Sequence, residues 1–438
     1  MKIAVIGAGL SGLTAALRFQ QAGHEVCVLD GNQHAGGRCK ALHRDGFIID
    51  TCPELAATSY RRWLSLIREV GLNDAIVQCP TVVSLLQGGG LIDVDTGNPL
   101  SAAFSPVISW KAKVRFGLGI LGMRKQLRSV PHYLLDDVSL DDPASGAEAL
   151  SLKAFGPEAT RKLIEPLLRP IGGVTLRMMS TMLVPYTLSD WTQMVTLRGG
   201  LDVLPKTLAA RLPMHLGTTV KRVHSMTDRV TLECVDDKGA AGTLTADKCL
   251  ITAPYDQAEE IYPRFREIAG DYRRRMQYMR IFDVKLAYSK ATRSKAASVM
   301  LSVSESPRIN VISLSHNKAS DRAPADHSLF SIFTEHTAYE LFAAMPAEDI
   351  VSMMRQEIER LYPEVRGHFL FSYVSGQERV SYVPDAGYFH RTRRLWDAIG
   401  QEPRVQLGGD IFMFGGMEAA VASGERAAQR LMTAAEIA

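Results

Sequence analysis

Gly7, Gly9 and Gly12 follow the branched apolar run Ile3 to Ile6 in a Gly-x-Gly-x-x-Gly spacing, and Asp30 closes a second apolar run, Val26 to Leu29. Residues of these types at this spacing can hold a pyrophosphate and a ribose. Gly7 permits a tight turn, Gly9 lets the backbone approach phosphate oxygens, and Gly12 lets a helix pack closely on a strand. Leu10 and Ser11 belong to the same turn and open that helix, whose free N–H groups and positive dipole end attract the phosphates. Asp30 is spaced to accept hydrogen bonds from ribose hydroxyls. The elements that must position these residues are strand, glycine turn, helix and strand, the start of a parallel dinucleotide-binding sheet. A glycine-rich turn without a ligand is the plain alternative.

NAD and FAD share an ADP half, so the opening motif does not choose between them; the next segment does. Six residues past Asp30 stands Gly36-Gly37-Arg38, followed by an apolar strand that closes on Asp50. The glycine pair allows close passage of the backbone, and Arg38 can offset pyrophosphate charge, although taken alone it could be a surface arginine. This extended motif resembles the signature of the flavin amine oxidoreductase superfamily, which includes monoamine and polyamine oxidases, protoporphyrinogen oxidase and phytoene-type desaturases. Residues 405–431, "VQLGGDIFMFGGMEAAVASGERAAQRL", resemble its carboxy-terminal signature. By that resemblance Gly409 and Asp410 bind the ribityl or pyrophosphate part of FAD. Met417 and Ala419 then lie at the start of a helix that points its N-terminus at the flavin ring, where its dipole favours the charge of the reduced cofactor. Between these ends, residues 197–223 resemble the return of the chain to the FAD domain, with Val220 and Val223 passing the adenine. Valines there are equally good strand core.

The resemblance implies an α/β fold, a Rossmann-like FAD-binding domain of glutathione-reductase type with an interleaved α+β substrate-binding domain. We expect residues 1–75, 195–262 and 388–438 to form the first and residues 76–194 and 263–387 the second. The piece 76–194 has helical spacing, and Met178, Met179, Met182 and Met194 within it could be an adaptable wall or plain helical core. The piece 263–387 contains alternating segments, "IFDVKLAYSK" and "HSLFSIFTEH", expected to form a sheet over the flavin.

The bulk numbers agree with an ordinary globular enzyme. The chain has 438 residues, 46% hydrophobic and 22% charged, and a net charge of +3 that gives no footprint for nucleic acid. Six scattered cysteines without a Cys-x-x-Cys pair argue against a disulfide framework or a zinc site, and eleven histidines show no metal spacing. With a first strand from residue 2 and no apolar run long enough to span a bilayer, a cytoplasmic location without a signal peptide is expected. Residues 105–129 mix Trp110, Phe116, Leu118, Ile120 and Leu121 with Lys111, Lys113, Arg115, Arg124, Lys125 and Arg128. Such a stretch can lie on an anionic membrane surface, but the favoured expectation is a helix covering an internal cavity.

FAD brings the redox chemistry, so the protein need only place a C–H bond near flavin N5 and tune the ring. Alternation puts Val284, Leu286 and Tyr288 on one face of a strand and Lys285 on the other. Amine oxidases of the superfamily carry a lysine on an equivalent strand that holds a water against N5, a role the resemblance assigns to Lys285; a solvent-facing strand lysine is the alternative. Two departures stand out. The family glycine after Asp50 is replaced by Thr51-Cys52-Pro53, and the cysteine that attaches flavin in monoamine oxidases is missing, so FAD is expected to be noncovalent. Monoamine oxidases also flank the substrate nitrogen with two aromatic rings, and the position matching one of them is Gly416; Tyr388 or Phe414 could restore a wall. The expected function is therefore hydride transfer from a bulky cyclic or lipophilic small molecule, desaturating a C–C or C–N bond with O2 or another acceptor taking the electrons. An amine oxidase giving an imine and hydrogen peroxide is the alternative, and an isomerase or dehydratase without net oxidation is a further one. A catalytically idle FAD scaffold would be a different class.

Overall fold

The computed structural model describes residues 1–131, 133–189 and 193–434. Five parallel strands form one sheet in the order Met214–Leu216, Glu25–Asp30, Lys2–Ile6, Lys248–Ile251, Val405–Leu407. Lys2–Ile6 is central, pairing Ile3 with both Val26 and Lys248. A central parallel strand is covered on both faces, which is why it is a continuous branched run rather than an alternating one; Ile3, Ala4 and Val5 are fully buried. Two helices, Leu10–Gln21 and Gly416–Thr433, pack against each other so closely that a Cβ on Gly424 would overlap the Ser11 carbonyl oxygen. Residues 10–21 and 416–433, from opposite ends of the sequence, are thus neighbours.

An antiparallel three-stranded sheet, Thr219–Ser225, Val230–Val235 and Ala241–Ala246, lies between the strands Met214–Leu216 and Lys248–Ile251 in sequence. Val220 and Val223 are buried in its first strand opposite Cys234 and Leu232.

The largest sheet has seven strands, in the order Phe369–Tyr382, Tyr278–Tyr288, Ser328–Thr334, Ile309–Leu314, Ser298–Met300, Val82–Gln87, Gly90–Asp95. Its pairs are antiparallel except Ser298–Met300 with Val82–Gln87. The last two strands correct the helical expectation for residues 76–194. Gly88 and Gly89 both have positive φ, so the chain reverses between two apolar runs and makes a hairpin before the helices begin. Helices follow at Pro99–Phe104, Trp110–Gly122, Arg124–Ser129, Ala147–Ala159, Glu165–Gly172 and Leu183–Ser189.

Two further expectations meet the structure only in part. Met179 and Met182 are fully buried core, Met178 is half-buried, and Met194 is exposed on the strand Met194–Leu197. The helix Trp110–Gly122 does not cover a cavity with its apolar residues collectively: of the thirteen only Ala112 is buried, and Trp110, Val114, Leu118 and Leu121 face outward. Its inner side packs on Ala147–Ala159, where Phe116 meets Phe155 at a ring separation of 5.1 Å.

Candidate cofactor-binding and active site

The first turn supplies backbone rather than side chains. Gly9 is the N-cap of the helix Leu10–Gln21 with no side-chain cap, so the first-turn N–H groups face forward without a local acceptor. A Cβ added at Gly9 would meet nothing within 4 Å, whereas one on Gly12 would overlap the carbonyl oxygen of Gly7. Gly9 therefore keeps a space open, and Gly12 lets helix and strand touch. Gly7 has φ +108°, which a side chain rarely adopts. Asp30 arches back over this turn: one carboxylate oxygen accepts from Ala8 N at 2.7 Å, the other from Asn32 N at 2.8 Å.

The second glycine pair closes on the first. Gly36 N donates to Ala8 O at 2.8 Å, and a Cβ on Gly37 would stand 3.2 Å from the Gly9 Cα. Arg38 then crosses to the other end of the chain. Its guanidinium makes two bonds to the Asp410 carboxylate, both 2.8 Å, and donates to Val380 O at 2.7 Å. Burial works against the arginine's charge, but the adjacent Asp410 outweighs it and raises the Arg38 pKa. Gly409, at φ +114°, donates its N–H to Ser423 Oγ at 3.0 Å and so orients Asp410.

These residues fit the pyrophosphate half of FAD on structural grounds. The helix start has no side-chain cap, Gly9 keeps an open face, and the buried Ser11 Oγ has no hydrogen-bond partner. Met417 and Ala419 are 2% and 0% exposed, so their side chains pack inward, and what the helix Gly416–Thr433 can offer a ligand is its backbone start.

Lys285 is fully buried, which removes the solvent-facing alternative; the opposite face of its strand is buried too. Its ammonium is 2.5 Å from Glu54 Oε1 and 3.0 Å from Asp283 Oδ1, and it lies 4.8 Å above the centre of the Phe333 ring. Lys318 takes the other Glu54 oxygen at 2.5 Å, while Arg322 pairs with Asp50 at 3.1 Å. Burial pushes Asp283 up to about 7 despite Lys285, and Asp50 up to about 6 despite Arg322. For Glu54 the same burial is outweighed by Lys285 and Lys318, and its carboxyl falls well below the usual range. Lys285 is raised because Asp283 and Glu54 outweigh its own desolvation. Two carboxylates and a π face thus engage the lysine's donors.

Glu54, Lys318 and Arg322 escaped the sequence analysis, because no spacing joins them to Lys285, whereas Asp283 was signalled by the strand's alternation, which places it two residues away on the Lys285 face, and was overlooked. For Glu54 the signal was the unusual Thr51-Cys52-Pro53 loop that leads to it. Within it the Cys52 thiol is pushed up to about 12 by burial, so it is held as a thiol.

Of the residues expected to line the substrate pocket, Phe414 is 8% and Tyr388 3% exposed, and the Tyr388 hydroxyl donates to Ile411 O at 2.7 Å. Gly416 has φ +85°, and a Cβ there would stand 3.3 Å from the Tyr60 hydroxyl oxygen. Tyr60, unforeseen in sequence, occupies the space beside this glycine.

The chain belongs to the family described as flavin containing amine oxidoreductase, which it matches over residues 10–432. The family description implies a flavin cofactor. Coproporphyrinogen III oxidase from Propionibacterium freudenreichii subsp. freudenreichii is 29% identical over 197 residues, 43% of this chain and 35% of that one. The matched stretch therefore spans about a third of this curated relative. Among solved structures, a protoporphyrinogen oxidase candidate from Exiguobacterium sp. 255-15 superposes with a TM-score of 0.76 at 19% identity, covering 98% of both chains. A putrescine oxidase bound to putrescine gives a TM-score of 0.76 at 15% identity over 99% of both chains. At these identities the superpositions establish the shared fold. No helix among the described residues is long and apolar enough to cross a membrane, and no group of His, Cys, Asp and Glu there could hold a metal ion.

Proposed function

We propose that the protein binds FAD noncovalently and oxidises a C–H bond of a bulky cyclic or lipophilic small molecule, desaturating a C–C or C–N bond, with O2 as the acceptor. Bound FAD would supply the hydride-accepting N5. In this reading Gly7, Gly9, Leu10, Ser11, Gly12, Gly36 and Gly37 cradle the pyrophosphate and Asp30 holds the ribose. The Arg38–Asp410 pair closes the site, Val220 and Val223 flank the adenine, and segments 1–75, 195–262 and 388–438 make the FAD-binding domain. Lys285 acts as a positioning residue, fixing the loop 51–55 through Glu54.

The observation that carries the substrate class is that Gly416 stands where a cage ring would, with φ +85° and the Tyr60 hydroxyl beside it. Phe414 and Tyr388 are buried, Gly416 has no side chain, and the atoms that a Cβ there would meet belong to the Tyr60 ring. An electron-rich cage orients a small protonated amine; one ring does so poorly and leaves width for a larger molecule. The porphyrinogen named for the coproporphyrinogen oxidase relative is a macrocycle of that breadth. The test is anaerobic bleaching of the flavin by a porphyrinogen, a polyene and benzylamine, followed by product mass. Rapid bleaching by the macrocycle or polyene with loss of two hydrogens is expected. Faster bleaching by benzylamine would replace this reading with amine oxidation.

A further inference from the structure

The most exposed large apolar side chains among the described residues fall in one stretch of the chain. Among the described residues, every large apolar side chain that is at least half exposed lies between Leu100 and Leu121: Leu100 65%, Phe104 79%, Trp110 76%, Val114 50%, Leu118 64% and Leu121 61%. Isolated exposed apolar residues need no explanation, but a contiguous set does. Trp110, Val114, Leu118 and Leu121 are separated by four, four and three residues, so they form one stripe along the helix Trp110–Gly122. Ala112, Phe116, Gly119, Ile120 and Met123 form the opposite side and pack inward. A Cβ on Gly119 would stand 2.6 Å from the Phe155 ring, so the inner side is docked as tightly as it can be. The outer stripe is therefore a second apolar face with no partner of its own in the fold.

The charge around it selects the partner. Residues 96–135 contain six lysines and arginines and no aspartate or glutamate. Lys111, Arg124, Lys125 and Arg128 are exposed beside the stripe. Arg115 is turned aside to the carbonyl of Leu152 at 3.2 Å, and Glu158 on the facing helix is occupied in accepting from Ser109 N and Oγ at 2.8 and 2.6 Å. A protein partner burying this face would need matching acids at several angles. A bilayer with anionic headgroups supplies negative charge in a plane around an apolar layer, which is the pattern here, with Trp110 suited to the interface.

We propose that the helices Pro99–Phe104 and Trp110–Gly122 dock the protein peripherally on an anionic phospholipid surface, inserting the Trp110–Leu121 stripe beneath the headgroups. This goes beyond the reaction assigned above and does not depend on it. The experiment is co-sedimentation of the flavin-loaded protein with vesicles of phosphatidylcholine alone or mixed with phosphatidylglycerol. Binding at least about tenfold stronger to the mixed vesicles is expected, with a blue shift of Trp110 emission that Trp110→Phe removes. Leu118→Ser with Leu121→Ser should weaken binding about a hundredfold, and Arg124→Glu with Lys125→Glu should abolish the preference for phosphatidylglycerol, each at unchanged flavin content and circular dichroism. Absence of binding, equal binding to both vesicles, or binding untouched by the leucine substitutions would overturn the proposal. So would a lipid-independent dimer that Leu118→Ser dissociates, since the face would then meet a second copy of this chain.

Discussion

Lys285 shows how a residue's chemistry is decided by what surrounds it. Its ammonium lies in a fully buried group with Glu54 and Asp283 within 3.0 Å, and Lys318 shares Glu54. Removing one partner from such a group leaves an uncompensated buried charge, so Lys285→Met should destabilise the fold by about 3–5 kcal/mol in urea unfolding. A loss under about 1 kcal/mol would show that the group relaxes or admits water. Asp283 has a distinct signature in pH. Its folded pKa, about 7, lies above the usual 3.8 for an aspartate, so the folded state holds a proton that the unfolded state has released. Its contribution to stability therefore falls as pH rises from about 4 to about 7. Asp283→Asn mimics the protonated form: it should match the wild type near pH 4.5 and exceed it by a few kcal/mol, order of magnitude, at pH 8. A difference that stays constant over that range would show that Asp283 is ionised throughout. Gly416, by contrast, is fixed by space and backbone. With φ +85° and the Tyr60 hydroxyl 3.3 Å from its missing Cβ, Gly416→Tyr should cost stability and displace Tyr60 rather than rebuild a wall.

Elements differ in how much of them can be read from sequence. The strand, turn and helix of residues 2–30 are legible because a phosphate-binding turn is a local demand: Gly12 is excluded from carrying a Cβ by Gly7, five residues away. The hairpin Val82–Asp95 was hidden by its company, a short branched run before a long helical stretch. The helix Trp110–Gly122 is apolar on two sides, so its pattern could not say which side faces out; the docking of Gly119 on Phe155 decides it. The pairing of Lys285 with Glu54 was illegible for another reason, since the two are 231 residues apart and meet only when strand and loop are both in place. The pairing of the helices Leu10–Gln21 and Gly416–Thr433 makes a prediction at this scale. Gly424→Ala would force the helices apart at the Ser11 carbonyl, an overpacking that typically costs about 1–3 kcal/mol. Because Ser11 opens the phosphate-binding helix, bound flavin per chain should fall in parallel with the melting temperature. Full flavin content at a reduced melting temperature would confine the effect to packing.

At the scale of the molecule, the proposed FAD site draws on residues 7–38, the Val380 carbonyl and residues 409–424, which the Arg38 bonds and the Gly424–Ser11 contact bring together from opposite ends of the chain. The cysteines bear on the proposal that the cofactor is held without a covalent bond. All six cysteines are free, and burial pushes the thiols of Cys39 and Cys52, in the segments beside Arg38 and Asp50, up to about 12, which keeps them protonated and poor nucleophiles. A ligand held only by the folded chain stabilises it by mass action, about 2.7 kcal/mol at a hundredfold excess over Kd. Acid precipitation should therefore release the yellow colour into the supernatant as intact FAD. Flavin-free protein should melt at a lower temperature that rises again with the logarithm of added FAD. The same titration on Arg38→Met should be shifted to higher FAD concentration, because Asp410 loses both of its bonds to the guanidinium and the two chain ends lose their link. Flavin that stays with the precipitated chain would show a covalent bond, and a melting temperature indifferent to FAD would remove these segments from the cofactor site altogether.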